Sequence, residues 1–226
     1  MVRGEGMKRL VSIALAAFFI LSVPLFALNF DGSGTQSDPY IIKNKADWDT
    51  FVANTNSGND LDKYYELSDE FDNHDDPVTQ MACNVDYYAF GGTLNGNGRT
   101  ITINISTTLK DSGPIRYVNN ATFLNLTIEG SISTSNMDAG GLSGRSKGNT
   151  KIQNCVSKVE IISSVNGDGT HGGFIGITDD GLLEFASSIF CGKFIGSSTN
   201  CCSGFVGYRG GSSKINYYNC VSHLYY

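Results

Sequence analysis

Apolar and polar residues alternate with a period of two along much of the chain. Ile101, Ile103 and Ile105 are separated by Thr102 and Asn104, which predicts a strand with one apolar face. Two Asn-Gly pairs, Asn95-Gly96 and Asn97-Gly98, stand just before it and offer the positive φ angles of tight turns. A second such run is Phe123-Leu124-Asn125-Leu126-Thr127-Ile128, whose leucines and Ile128 are expected on one face, with Asn125 and Thr127 on the other. Tyr40-Ile41-Ile42 and Lys63-Tyr64-Tyr65-Glu66-Leu67 are further short strand candidates. One segment, 46–56, changes period: Trp48, Phe51, Val52 and Thr55 fall at i, i+3, i+4 and i+7, which predicts an amphipathic helix.

Above these local patterns lies a repeat. Gly140-Gly141-Leu142-Ser143-Gly144 returns as Gly172-Gly173-Phe174-Ile175-Gly176 and again as Ser203-Gly204-Phe205-Val206-Gly207, at intervals of 32 and 31 residues. A fixed period of roughly 20 to 50 residues marks stacked units, none able to bury its apolar face alone. The expected fold is all-β, a parallel β-helix of five or six coils. Its glycines would allow close turns between coils, and Leu142, Phe174, Ile175, Phe205 and Val206 would fill the interior. The expected organisation is a signal peptide over 1–27, an N-terminal region over 28–89 with its helix capping the first coil, and the β-helix over 90–226. The third repeat stops where the others continue, which predicts either a truncated last coil or end-to-end self-association through an open strand edge.

Composition narrows the class. Of 226 residues, 27 are Gly and only 4 Pro, beside abundant Ile, Val, Thr, Tyr and Phe, the mixture of many short strands joined by turns. The net charge of −6 is concentrated upstream of Phe90, and no basic stripe with interleaved aromatics occurs, so nucleic acid is not an expected partner. Arg3, Lys8 and Arg9 precede an apolar run ending near Ala27, the form of an export signal, and no transmembrane anchor is expected after its removal. Cys155 and Cys220 sit in matching phrases, Asn154-Cys155-Val156-Ser157 and Asn219-Cys220-Val221-Ser222, two repeats apart. Stacking would separate them beyond disulfide reach, so both are expected as small buried residues, while Cys191, Cys201 and Cys202 leave room for one bridge.

The stretch 90–105 and the glycine phrases, with their later Asn-Cys phrases, resemble bacterial surface proteins carrying GLUG-motif repeats. The resemblance takes in most of the chain after the signal, although Ser187-Ser188 replaces Asn-Cys in the second repeat. It implies a right-handed parallel β-helix, the architecture of pectate-lyase-like enzymes, and a secreted or cell-surface location, often with a role in adhesion. The same family includes non-catalytic regions of large metallopeptidases that cleave immunoglobulin.

The residues that chemistry would need do not assemble in the sequence. His74, His171 and His223 lie in three neighbourhoods, so a two-His zinc motif is excluded locally. The acidic stretch 68–76 lacks the order of a Ca²⁺ loop and reads as solvated. Asp179-Asp180, followed by Gly181, reads as a turn. Gly144-Arg145-Ser146-Lys147-Gly148 matches the nucleophile-elbow spacing but leads into another strand rather than a helix. Gly167 to Gly172 matches a dinucleotide fingerprint but also leads into a strand. No catalytic, metal or cofactor-binding residue is assigned, and the expected function is a non-catalytic module for adhesion or ligand binding. The alternatives are a polysaccharide lyase or glycosidase of the same fold, or a fragment of a larger surface protein such as the non-catalytic region of an immunoglobulin-cleaving metallopeptidase. Tyr208, Tyr217, Tyr218, Tyr225 and Tyr226 crowd the last repeat and form the candidate surface for a glycan or protein, tyrosine having an apolar body and a polar tip.

Overall fold

A computed structural model describes residues 30–196 and 201–223; the expected signal segment and Tyr225 and Tyr226 lie outside them. Among the described residues the chain winds into a parallel β-solenoid of about six turns. Its first sheet holds β1 (Tyr40–Ile42), β2 (Tyr64–Leu67), β3 (Thr93–Asn95), β6 (Thr122–Leu124), β9 (Thr150–Gln153), β12 (Leu182–Ala186) and β16 (Lys214–Tyr218) in that order. The second runs β4 (Thr100–Thr107), β7 (Thr127–Thr134), β10 (Val156–Ser163), β13 (Ile189–Phe190), β17 (Val221–Ser222), with β14 (Lys193–Gly196) also on β10. The third holds β5 (Ile115–Asn119), β8 (Ser143–Lys147), β11 (Ile175–Thr178) and β15 (Val206–Arg209). Each complete turn gives one strand to each sheet, as β5, β6 and β7 do. The first sheet begins upstream of Phe90, at Tyr40, so the segment around the helix is continuous with the coils.

Parallel stacking places like residues above like, and the core is a set of ladders. One runs Tyr65, Leu94, Phe123, Ile152, Phe185 and Tyr217 through the first sheet. Another takes Ile105, Ile132, Ile161 and Phe194 through the second. Leu142, Phe174 and Phe205 come from the glycine phrases, and the last two rings stack at 5.5 Å and 16°. Such a coil cannot be dry alone; each apolar row is buried by the row above and below it. The helix α1 (Lys45–Asn56) sends Trp48, Phe51 and Val52 inward, and Phe51 meets Tyr65 edge-on at 4.8 Å and Phe90 at 5.7 Å. Its N-terminus is capped by Asn44, whose side-chain oxygen accepts from the Asp47 N–H at 3.1 Å.

The glycine phrases serve a different need from the one expected. None of Gly140, Gly172 or Gly176 has a positive φ. A Cβ on Gly172 would overlap the Ile175 carbonyl and press on the Gly207 N–H, and one on Gly176 would overlap the Asp138 carbonyl of the preceding turn. These glycines let backbone approach backbone rather than reverse its direction. Residues with positive φ turn the corners instead: Asp111, Asp138, Thr170 and Cys201 just before the glycine phrases, and Asn125, Asn154, Ser187 and Asn219 between the first and second sheets. Asn tolerates this conformation because its short amide bonds locally. Here the amides also bond along the stack, Asn154 to Asn125 at 3.2 Å and Asn125 to Asn95 at 3.0 Å.

Several sequence expectations are corrected. Asn125 ends one strand and starts another, so Leu124 turns outward and Phe123 takes its place in the core. Of the two Asn-Gly pairs, only Asn97-Gly98 uses positive φ. All six cysteines are free. Cys155 is buried, with Ser188 donating its lone hydroxyl locally one turn on, whereas Cys220 on the last turn is partly exposed because that ladder position has no described turn above it.

Candidate functional site

The corner between the second and third sheets carries an unusual density of polar groups. It is built from the links that follow β7 and β10, where Asp138 and Ala139 lie one turn from Thr170 and His171. Parallel register puts them there, since Gly140 bridges Gly172. Asp138, buried at 2% exposure, takes a hydrogen bond from the Thr170 hydroxyl and pairs with Lys110 at 3.1 Å. The His171 ring is fully buried. Its Nδ1 accepts from the Ala139 N–H at 3.2 Å, and its Nε2 lies 2.8 Å from the Ser163 hydroxyl. Burial pulls its pKa down to about 4, with the Asp138 charge opposing, so the ring is neutral at pH 7.

That arrangement superficially pairs a serine with a histidine, but the chemistry runs the wrong way for nucleophilic catalysis. A general base must offer the serine a lone pair. With Nδ1 accepting from Ala139, the proton of the neutral ring sits on Nε2 and is donated to Ser163. Ser163 also accepts from the Val165 N–H at 3.2 Å. Both of its lone pairs are therefore engaged, and its own O–H is left without an acceptor among the described residues.

Ser163 forms part of the floor of a surface groove of about 600 Å³. The groove crosses three turns where β4, β7 and β10 end, and its walls are residues 106–108, 133–135 and 162–164. Eight of these nine carry hydroxyls and the ninth is Ile162. Register aligns them in rows: Ser106, Ser133 and Ile162 face outward, and Thr107, Thr134 and Ser163 lie beneath. No charged side chain lines it.

On the third sheet, Arg145 spans three turns, bonding Asp111 at 3.1 Å and Asp179 at 2.6 Å. Burial pushes the Asp111 carboxyl up, and Arg145 counteracts it. Asp179 is thus engaged in a cross-turn ion pair, and Gly181 takes the positive φ of the turn beside it. Ser146 of the elbow-like phrase is wholly buried within β8, out of reach of a substrate.

The described candidate tyrosines, Tyr208, Tyr217 and Tyr218, do not form one surface. Tyr217 ends the inward ladder of the first sheet and stacks on Phe185 at 5.4 Å and 10°. Tyr218 is its outward neighbour, and Tyr208 lies on the third sheet beyond Ile177. Each is about half exposed. Sequence reasoning passed over the groove, although its signal was present: short Ser/Thr runs at 106–108, 133–135 and 163–164 recur near the repeat period.

A stretch of 166 residues is 32% identical to halomucin of Haloquadratum walsbyi (strain DSM 16790 / HBSQ001), taking in 68% of this chain. The chain spans 2% of halomucin's length. No family model matches it. No solved structure matches it either. Among the described residues no helix is long and apolar enough to cross a membrane.

Proposed function

We propose that this chain is a non-catalytic binding module of a cell-surface or secreted protein, of the GLUG-repeat kind, built as a right-handed β-helix capped by α1. The observation that carries the reading is the pairing of a rigid parallel solenoid with a halomucin-like sequence over most of its length, a likeness that suggests a surface protein. A solenoid offers long sheets whose outward residues are free to vary while the ladders inside hold the shape. The inverted Ser163–His171 pair and the engaged carboxylates of Asp111 and Asp179 support binding over catalysis. Signal-directed export follows from the basic and apolar start of the sequence.

The test is a glycan and matrix-protein array probed with the purified chain, run beside assays for release of reducing or unsaturated sugar from a polysaccharide panel. Saturable binding without turnover is expected. Sugar release that scales with protein concentration would overturn the non-catalytic reading, and a flat array would overturn the binding one. The strand edge formed by β15, β16 and β17 is proposed as a self-association surface, with light scattering expected to show mass rising with concentration.

A further inference from the structure

We propose that the hydroxyl-lined groove at the ends of β4, β7 and β10 binds a neutral oligosaccharide, with the Ser163 O–H as its directed donor. This deepens the binding-module reading and rests on it.

Three observations converge. The first is the donor count at Ser163. This side chain is only 4% exposed, yet it lines the groove. His171 Nε2–H and the Val165 N–H occupy both of its lone pairs. Its hydrogen has no acceptor among the described residues, and a buried donor without a partner is costly. An acceptor oxygen arriving from the groove would satisfy it. The His171 tautomer, fixed by the Ala139 N–H, imposes this polarity, so the Ser163 hydrogen is left unengaged before any ligand arrives.

The second is the lining. Ser106 and Ser133 stand opposite each other one turn apart, with Thr108 and Ser135 beyond them. None of these four hydroxyls is tied down: Ser106, Ser133, Thr108 and Ser135 make no side-chain hydrogen bond within the described residues, while Thr107 and Thr134 bond locally. Free hydroxyls both donate and accept, matching the mixed donor and acceptor edge of a sugar. Ile162, 38% exposed, supplies an apolar patch for the C–H face of a ring, and Ile195 extends it on the next turn at 39%.

The third is charge and size. The groove holds no cation to neutralise a carboxylate, sulfate or phosphate, and its volume of about 600 Å³ falls in the range of roughly 300–1,000 Å³ typical of ligand sites. An anionic polysaccharide would have to shed water there with hydroxyls alone, and no cation, to replace it. A neutral chain crossing the turns meets one hydroxyl row per turn, at the strand spacing of roughly 4.8 Å.

The experiment is a ¹⁵N NMR titration of the full chain with neutral hexasaccharides (malto-, cello-, manno- and chito-oligosaccharides), with oligogalacturonate as the anionic arm. Shifts are expected at 106–108, 133–135 and 162–164 with at least one neutral series. Ser163→Ala should weaken binding about fivefold, the loss of one hydrogen bond. Because Ser163→Ala also disturbs His171, Ser133→Val is the second variant; it alters only an outward strand position, where a β-branched residue is well tolerated, and should weaken binding by a similar factor. Neutral binding with shifts elsewhere and unaffected by either variant would overturn the groove but leave the module reading intact. Preference for oligogalacturonate would overturn the neutral class. No binding to any neutral sugar at millimolar concentration would overturn the groove, and a protein ligand found on the matrix array would still support the module.

Discussion

Acid should destabilise this fold partly through one buried imidazole. His171 is fully buried and neutral, and its pKa in the folded chain is lowered to about 4 from 6.5, burial being the main cause. Between those values the unfolded chain binds a proton that the folded chain refuses, so stability rises with pH across that window. The contribution is complete above about pH 6.5, falls as pH drops toward about 4, and is flat below. At about 1.4 kcal/mol per pKa unit the whole span is worth about 3 kcal/mol, of which roughly 2 to 2.5 kcal/mol is lost between pH 7 and 4.5. Carboxylates also titrate there, so the measurement is a difference. Urea unfolding of the wild type and of His171→Asn, which keeps an acceptor for the Ala139 N–H, would be compared at both pH values. The wild type should lose roughly 2 to 2.5 kcal/mol more than the variant on acidification. Equal losses, or an NMR titration placing the His171 ring near its ordinary pKa, would refute the argument.

Four further outcomes follow from the packing and the buried ion pairs. Gly172→Ala should destabilise by about 1–3 kcal/mol in denaturant unfolding, because the added methyl overlaps the Ile175 carbonyl and presses on the Gly207 N–H of the next turn. Phe174→Ala should cost about 3–5 kcal/mol, since it removes the buried ring that packs on both Phe185 and Phe205. Arg145→Met should cost about 2–3 kcal/mol, less than the roughly 3–5 kcal/mol of a fully buried pair because Arg145 and Asp179 keep some solvent contact. Adding Asp111→Asn should recover part of that loss in a double-mutant cycle, since it removes the carboxylate stranded in the first variant.

The solenoid itself was legible because its cause is periodic. The return of Gly-Gly-apolar-apolar-Gly, and the alternation of Ile101, Ile103 and Ile105, are direct images of stacking and pleat. Even the Asn-Cys phrase encodes its corner, Asn154 taking positive φ and Cys155 turning inward. What the sequence left open depends on neighbours one turn away. Alternation places Leu124 inward because it cannot reveal that Asn125 breaks the strand. In sequence the phrase glycines look like turn formers, and only the stacked backbones show that they are contact points.

The candidate site divides in the same way. The tyrosines drew notice because they are crowded in sequence, yet stacking sends Tyr217 inward and Tyr208 to a different sheet. The groove escaped notice because serine and threonine are unremarkable one at a time. Composition and repeat length determined on their own that this chain is a stack of β-coils. Tertiary structure alone decided that three hydroxyl runs, each about a turn apart, share one groove, and that Ala139 and Val165 leave Ser163 with a hydrogen to give. Periodicity is a property of one coil repeated, whereas a site is a property of several coils in register.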